Sequence, residues 1–233
     1  MENIIKKMVK NIFKLLGYDI QRNSKNLEIL QGLPLPYDTM QNARLLPNRD
    51  FALTLLPKGG IVAEVGVAYG DFSRKIIDNL EPSKFYAIDI FEGSPGNELF
   101  RNRTDFTDLN LEHVDYIEKK YKAEINKGVF CIKKGFSWEV LSVFNDDYFD
   151  YVYLDAGHDY ESVKKDITVL LNKVKDGGII QFNDYIIYDY VSKGPYGVIK
   201  AVDELLVSGK HKILFFCLNP GSWNDIVVKI NKK

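Results

Sequence analysis

The sequence predicts an α/β protein built on a mostly parallel sheet, and three stretches carry that prediction. Residues 61–73, IVAEVGVAYGDFS, read as a buried strand, a glycine turn and the start of a helix that runs over 72–80. Beyond them, strand-like apolar runs at 84–90 (KFYAIDI), 128–133 (GVFCIK), 149–154 (FDYVYL) and 178–182 (GIIQF) alternate with helical ones, the pattern of successive βαβ units. Near the C-terminus, runs at 212–218 and 225–230 flank the turn residues Asn219-Pro220-Gly221-Ser222-Trp223. That is a hairpin signal, which places an antiparallel pair at the end of a parallel sheet.

Composition narrows the function classes. The chain has 233 residues, 45% hydrophobic and 27% charged, enough for one domain with a full core and appended segments. Its 31 basic and 32 acidic residues give a net charge of −1, and no basic patch is interleaved with aromatics. No nucleic-acid partner is expected. Cys131 and Cys217 lie in apolar strand-like runs, outside any CxxC pattern, and read as reduced core thiols of a cytoplasmic protein. No apolar run is long enough to cross a bilayer, and no cleavable signal pattern is present.

Residues 1–45 read as a segment apart from a domain over 46–233. Over 1–22, Ile4, Ile5, Met8, Val9, Ile12, Phe13, Leu15 and Leu16 recur at helical spacing among Lys6, Lys7, Lys10 and Lys14. Such a basic amphipathic helix packs on the domain, packs on a second subunit of a homo-oligomer, or lies peripherally on a membrane. GLPLPYD, residues 32–38, is a proline-punctuated linker or a lid over the pocket. Asp50 is placed to cap a helix over 51–56, and 57–60 turn it into the first strand. The polar stretch 91–123 has the character of a substrate lid; Arg101 and Arg103 in it suit an anionic acceptor or plain solvent, and His113 reads as exposed and uninvolved.

The glycine turn is suited to a nucleotide, because glycine admits positive φ and the following helix starts with free N–H groups. Asp89, at the tip of the second strand, is placed to accept hydrogen bonds from both ribose hydroxyls. A dinucleotide fingerprint requires a middle glycine, and that position is Ala68. The chain instead reads Glu64-x-Gly66-x-x-x-Gly70, with an acid beside the turn that suits a ligand carrying an ammonium and a sulfonium.

On these residues, VAEVGVAYGDFS followed by FYAIDIF, the chain resembles class I S-adenosylmethionine-dependent methyltransferases. The resemblance implies a Rossmann-like methyltransferase fold with a seven-stranded, mostly parallel sheet and a terminal antiparallel hairpin. It implies that Gly66 and Gly70 line the methionine portion of the cofactor, that Ser73 lies near its carboxylate, and that Asp89 binds the ribose. Glu64, Tyr69, Phe72, Ile90, Gly135, Phe136, Ser137 and Asp155 are implied as further contacts, with the adenine edge held near 134–138. Phe136 or Trp138 offers a stacking face, unless Trp138 simply begins a core-packed helix.

The fourth and fifth strands end on the remaining candidates. Asp155 and His158 follow FDYVYL, Asn183 and Asp184 follow GIIQF, and adjacent parallel strands bring the four together. Oxygen donors from Asp155, Asn183 and Asp184 suit Mg²⁺, whereas the available residues exclude a Cys- or His-rich zinc site. The run DAGHDYESVKKD, residues 155–166, resembles the hallmark of metal-dependent O-methyltransferases related to macrolide-sugar and cephamycin-pathway enzymes. By that resemblance Asp155 and Asp184 are metal ligands and His158 is the general base. Asn183 departs from the pattern, since the sugar-modifying relatives usually carry a carboxylate there. The expected activity is O-methylation of a small polar acceptor, with a sugar in polysaccharide or natural-product biosynthesis favoured. A metal-independent transfer to O or N through His158 and a non-catalytic cofactor-binding partner remain as alternatives. Tyr185, Tyr188 and Tyr190 are candidates for a pocket wall.

Overall fold

A computed structural model describes residues 9, 13–15, 31–92, 111–191 and 193–232. The amphipathic helix expected over 1–22 falls outside them except at 9 and 13–15, and Arg101 and Arg103 fall outside them entirely. No helix among the described residues is long and apolar enough to cross a membrane.

The strands are β1 (Arg44–Leu46), β2 (Ile61–Val65), β3 (Lys84–Asp89), β4 (Phe130–Lys134), β5 (Phe149–Leu154), β6 (Val174–Phe182), the short ribbon β7 (Tyr188–Asp189) and β8 (Gly194–Pro195), β9 (Lys212–Cys217) and β10 (Asp225–Lys229). The main sheet has eight strands in the order β1-β9-β10-β6-β5-β2-β3-β4. Only β10 runs antiparallel to its neighbours, pairing with β9 and β6. The mostly parallel sheet and the terminal hairpin are therefore as expected, and the strand count is one higher. The extra strand is β1, which pairs in parallel with β9 through Arg44↔Phe215 and Leu46↔Cys217.

The helices are α1 (Tyr37–Met40), α2 (Arg49–Leu53), α3 (Asp71–Leu80), α4 (His113–Lys120), α5 (Lys122–Asn126), α6 (Ser137–Ser142), α7 (Tyr160–Lys173) and α8 (Val198–Leu206). They cover both faces of the sheet, because the strands bury both. Along β2, Val62 joins Leu53, Phe72, Ile76 and Ile117 on one face, while Ala63 and Val65 join Leu141, Val163, Ile167 and Val202 on the other. Successive side chains of a strand point to opposite faces, so an apolar run such as IVAEV needs two layers of helix.

Two boundaries differ from expectation. The helix before β2 starts at Arg49, not 51, since the Asn48 side chain accepts from Phe51 N at 2.8 Å and takes the capping place read for Asp50. The connector over 32–38 is docked on α8, where Leu33 N donates to Asp203 Oδ2 at 2.8 Å. None of residues 31–45 lines the cleft described below.

From β2 the chain builds outward through β3 and β4, then crosses back to lay β5 on the other side of β2. Such a reversal opens a crevice at the carboxyl ends of the strands. Gly66, Asp89, Asp155, Asn183 and Asp184 all follow or close those ends.

Candidate active site

The turn after β2 is stitched to both neighbouring strands. Gly66 N donates to Ile88 O at 2.8 Å, and Asp155 N donates to Val65 O at 2.7 Å. A Cβ at Gly66, where φ is 87°, would stand 1.9 Å from Asp155 O, so only glycine lets β5 pass this close. Asp89 braces the same turn, accepting from Val67 N through Oδ2 and from Phe91 N through Oδ1, each at 2.7 Å. Oδ2 accepts a second, longer bond from Ala68 N at 3.4 Å, while Oδ1 keeps capacity for a further hydrogen bond such as a ribose hydroxyl would give. Ala68, Phe91 and Asp184 hold positive φ without being glycine, and all three follow strand ends around the crevice. Strain of about 1–3 kcal/mol per residue gathers where a site over-determines its backbone.

Above this turn lies a cleft of about 560 Å³, lined among others by Gly66, Asp89, Ile90, Phe136, Trp138 and Asp155. Phe136 is half exposed and stacks on Trp138, with ring centroids 5.1 Å apart and planes at 11°. One flat apolar wall with acids opposite it suits a nucleoside.

At the far side of Asp155 stands His158. Its Nε2 is 3.4 Å from Asp155 Oδ1 and 3.5 Å from Asp184 Oδ2, without a hydrogen bond of normal geometry. The imidazole stacks on Tyr196 at 4.5 Å and 16°, and its backbone is fixed by Gly197 N, which donates to His158 O at 2.7 Å. Burial opposes charge on His158, but Asp155, Asp184 and Asp189 outweigh it and raise its pKa. Asp184 is pushed up to about 6, by burial first and by the charge of Asp155 second. A base with two acids thus adjoins the cleft.

A family model described as a methyltransferase domain matches residues 63–185, more than half of the chain. The chain belongs to this methyltransferase family. None of the curated proteins matches it. Among solved structures, a protein of Corynebacterium glutamicum is 15% identical with a TM-score of 0.55, covering 85% of this chain and 84% of that one. An O-methyltransferase family protein from Burkholderia thailandensis is 10% identical with a TM-score of 0.52, covering 78% of this chain and 55% of that one. Both likenesses are of fold. The protein is an S-adenosylmethionine-dependent methyltransferase, and the cleft and turn fit that donor.

Within the methyltransferase, Gly66, Asp89, Ile90, Gly135, Phe136, Ser137 and Asp155 line the cleft. Glu64, Tyr69, Gly70, Phe72 and Ser73 do not. The Ser73 hydroxyl is fully buried and donates to Glu64. Glu64 is buried too, and burial holds its carboxyl well above the usual carboxylate range against the pull of Ser73. Phe72 packs on Tyr153 at 4.2 Å. Gly70 lies under Tyr121, where a Cβ would stand 2.9 Å from Cε2. Tyr185 also leaves the pocket wall, donating its hydroxyl to Asp203.

His113 corrects the reading of an exposed, uninvolved residue. It is buried, its Nε2 lies 2.6 Å from Ala68 O, and it lines the cleft edge-on to Phe91. Its placement depends on how the chain returns after 92, which no local pattern announces. Arg49 and Tyr196 are further site residues that sequence reasoning missed. The Arg49 guanidinium reaches Tyr153 OH at 2.8 Å and Asn183 Oδ1 at 2.9 Å through the same Nη1.

That contact decides how the predicted Mg²⁺ donors fit. Asn183 gives its oxygen to Arg49 and turns its amide nitrogen to Asp155 Oδ1 at 2.8 Å. The oxygen expected to face a metal is thus engaged by a guanidinium, and a metal ligated there would share or displace that contact. Among the described residues no group of three or more His, Cys, Asp or Glu is arranged to hold a metal. Asp155 and Asp184 are left as a carboxylate pair facing one imidazole nitrogen that lacks a normal hydrogen bond. Two carboxylates with waters are a donor set Mg²⁺ accepts.

Beside Ser137 of the cleft wall, Asp166 on α7 is buried with no hydrogen bond of normal geometry to either oxygen. Burial raises its carboxyl from 3.8 to about 6, with the Ser137 side chain offsetting only part of the effect. A carboxyl raised on folding contributes stability that is full below the unfolded pKa and lost as pH rises through the folded one. Asp166→Asn is expected to remove about 2–3 kcal/mol of that decline between about pH 4 and about pH 8. Urea midpoints of both proteins across that range check it, and parallel curves would contradict it.

Proposed function

We propose that this methyltransferase transfers the methyl group of S-adenosylmethionine to a hydroxyl of a small polar acceptor, with a sugar as the favoured acceptor class. The observation that carries this reading is His158 Nε2 set between the carboxylates of Asp155 and Asp184, at 3.4 and 3.5 Å, beside a cleft for the donor. An imidazole raised in pKa by two acids is a strong base for a hydroxyl proton. His158 takes the acceptor proton as the oxygen attacks the methyl carbon. The C–S bond breaks in line, and S-adenosylhomocysteine leaves. Asp155 and Asp184 stabilise the imidazolium, and Tyr196 holds the ring plane.

Support for a sugar comes from the rim beside His158. Tyr190 is largely exposed and meets Tyr188 edge-to-face at 5.0 Å, on the ribbon that leads into Tyr196. Aromatic rings with polar tips suit a ring with one apolar face and several hydroxyls. Mg²⁺, held by Asp155 and Asp184, would supply acidity to the acceptor hydroxyl. A metal-independent transfer is favoured by one observation, the guanidinium of Arg49 already bonded to Asn183.

The test is methyl transfer from labelled donor to a panel of sugar nucleotides and glycans, run after chelation and again with Mg²⁺ restored. Transfer to a hydroxyl is expected, with activity lost on chelation and regained with Mg²⁺ if the carboxylate pair binds the metal. Equal rates in both arms would assign the chemistry to His158 alone. Transfer confined to amines would overturn the hydroxyl reading.

A further inference from the structure

Asp203, on α8, is buried and holds two segments that lie far apart in the chain. Its Oδ2 accepts from Leu33 N at 2.8 Å, and its Oδ1 accepts from the hydroxyl of Tyr185. Burial raises the pKa of this carboxyl, and the two donors pull it back towards the charged form. A carboxylate so far from water is costly unless such donors satisfy it, so each segment helps to hold the other.

On one side stands the connector. A Cβ at Gly32 would overlap Asp203 Oδ2 and stand 2.8 Å from Ile199 Cγ2, so the chain lies directly on α8. It then runs along the helix to its end, where the buried Thr39 of α1 donates its hydroxyl to Leu206 O at 3.4 Å. On the other side stands the end of β6. Tyr185 directly follows Asp184, which holds a φ of 51° without being glycine. The backbone there is pinned by Tyr185 N, which donates to Asn224 O at 2.6 Å, and by Ile186 N, which donates to Asp184 O at 2.7 Å. A left-handed residue other than glycine persists only where its surroundings over-determine it, and the Tyr185 hydroxyl on Asp203 is the side-chain anchor beside it. The same helix meets His158 as well, since Gly197 at its N-cap donates to His158 O.

We propose that Asp203 is a positioning residue, which through Tyr185 sets the Asp184 carboxylate opposite His158, and that docking of the connector on Asp203 strengthens this hold. Release of the connector then loosens the Asp184 and His158 pair and leaves in place the cleft, which none of residues 31–45 lines. The consequence for turnover rests on the reading of His158 as the base.

Nuclear magnetic resonance and amide exchange of the full chain test this, since neither needs the acceptor. The 3 histidines of the chain give separate imidazole signals, and His158→Ala assigns the pertinent ones. Tyr185→Phe deletes only the hydroxyl, and Gly32→Ala pushes the connector off Asp203. Each is expected to shift the His158 signals while those of His113 stay. The amides of Tyr185 and Ile186 should exchange about 10- to 100-fold faster, the range for a lost hydrogen bond to a charged group. The double variant separates a chain of contacts from general loosening: in the Tyr185→Phe background, Gly32→Ala should add no further shift. Unmoved His158 signals in Tyr185→Phe, shifts that add, or a Gly32→Ala effect confined to residues 32–40 would overturn the proposal. Methyl transfer by the same variants tests the underlying reading separately. Moved His158 signals with unchanged turnover would overturn His158 as the base and leave its placement by Asp203 standing.

Discussion

Replacing His158 with alanine lowers turnover by about 10²- to 10⁴-fold, the usual worth of a positioned base, while the affinity for S-adenosylhomocysteine stays within about twofold. The split follows from where the ring sits. His158 is stacked on Tyr196 and faces Asp155 and Asp184, whereas the cleft proposed for the nucleoside is lined by Asp89, Ile90 and Phe136. Removing the imidazole leaves the donor's contacts in place and strips the acceptor of its base. Single-turnover methyl transfer measured beside calorimetric binding reads the two quantities apart. Unchanged turnover would take His158 out of the mechanism, and a parallel loss of binding would make it a structural residue.

Gly66→Ala is expected to destabilise the fold on the order of 4 kcal/mol or more and to abolish donor binding. The left-handed φ of 87° is itself unfavourable for alanine. The overlap of the new Cβ with Asp155 O, at 1.9 Å, weighs more heavily still. Backbone atoms on two hydrogen-bonded strands cannot yield as a flexible side chain can. Relief would require β5 to move from β2, breaking the Asp155 N to Val65 O bond that places Asp155 in the site. Denaturant midpoints and calorimetry check both halves, and a soluble variant of native stability would show that the turn is less tightly packed than these distances require.

What was legible from the residues is what local pattern encodes. Ile61–Val65, Lys84–Asp89 and Phe149–Leu154 are runs of β-branched and aromatic residues, and the acids and glycines at their ends are readable by position alone. The strand β1 was not, because a three-residue edge strand has no periodicity, and its pairing with β9 joins residues some 170 positions apart. The cap passed from Asp50 to Asn48 because both residue types can cap, and only tertiary geometry chooses between them. Asn183 illustrates the harder limit. Its place at the end of β6 was clear from GIIQF, but its partner Arg49 lies 134 residues away, and that partner engages the oxygen expected to face a metal. His113 misled for the same reason, since burial is set by what packs over a helix as well as by its own sequence.

On the reading proposed above, the turn at Gly66 and the cleft over it hold the methyl donor while the neighbouring strand ends prepare the acceptor. Titrating S-adenosylhomocysteine into the wild-type chain in a calorimeter tests this most directly. Saturable one-to-one binding, retained in His158→Ala, is the predicted result. No heat of binding to the wild-type protein, or binding that vanishes with His158, would contradict it.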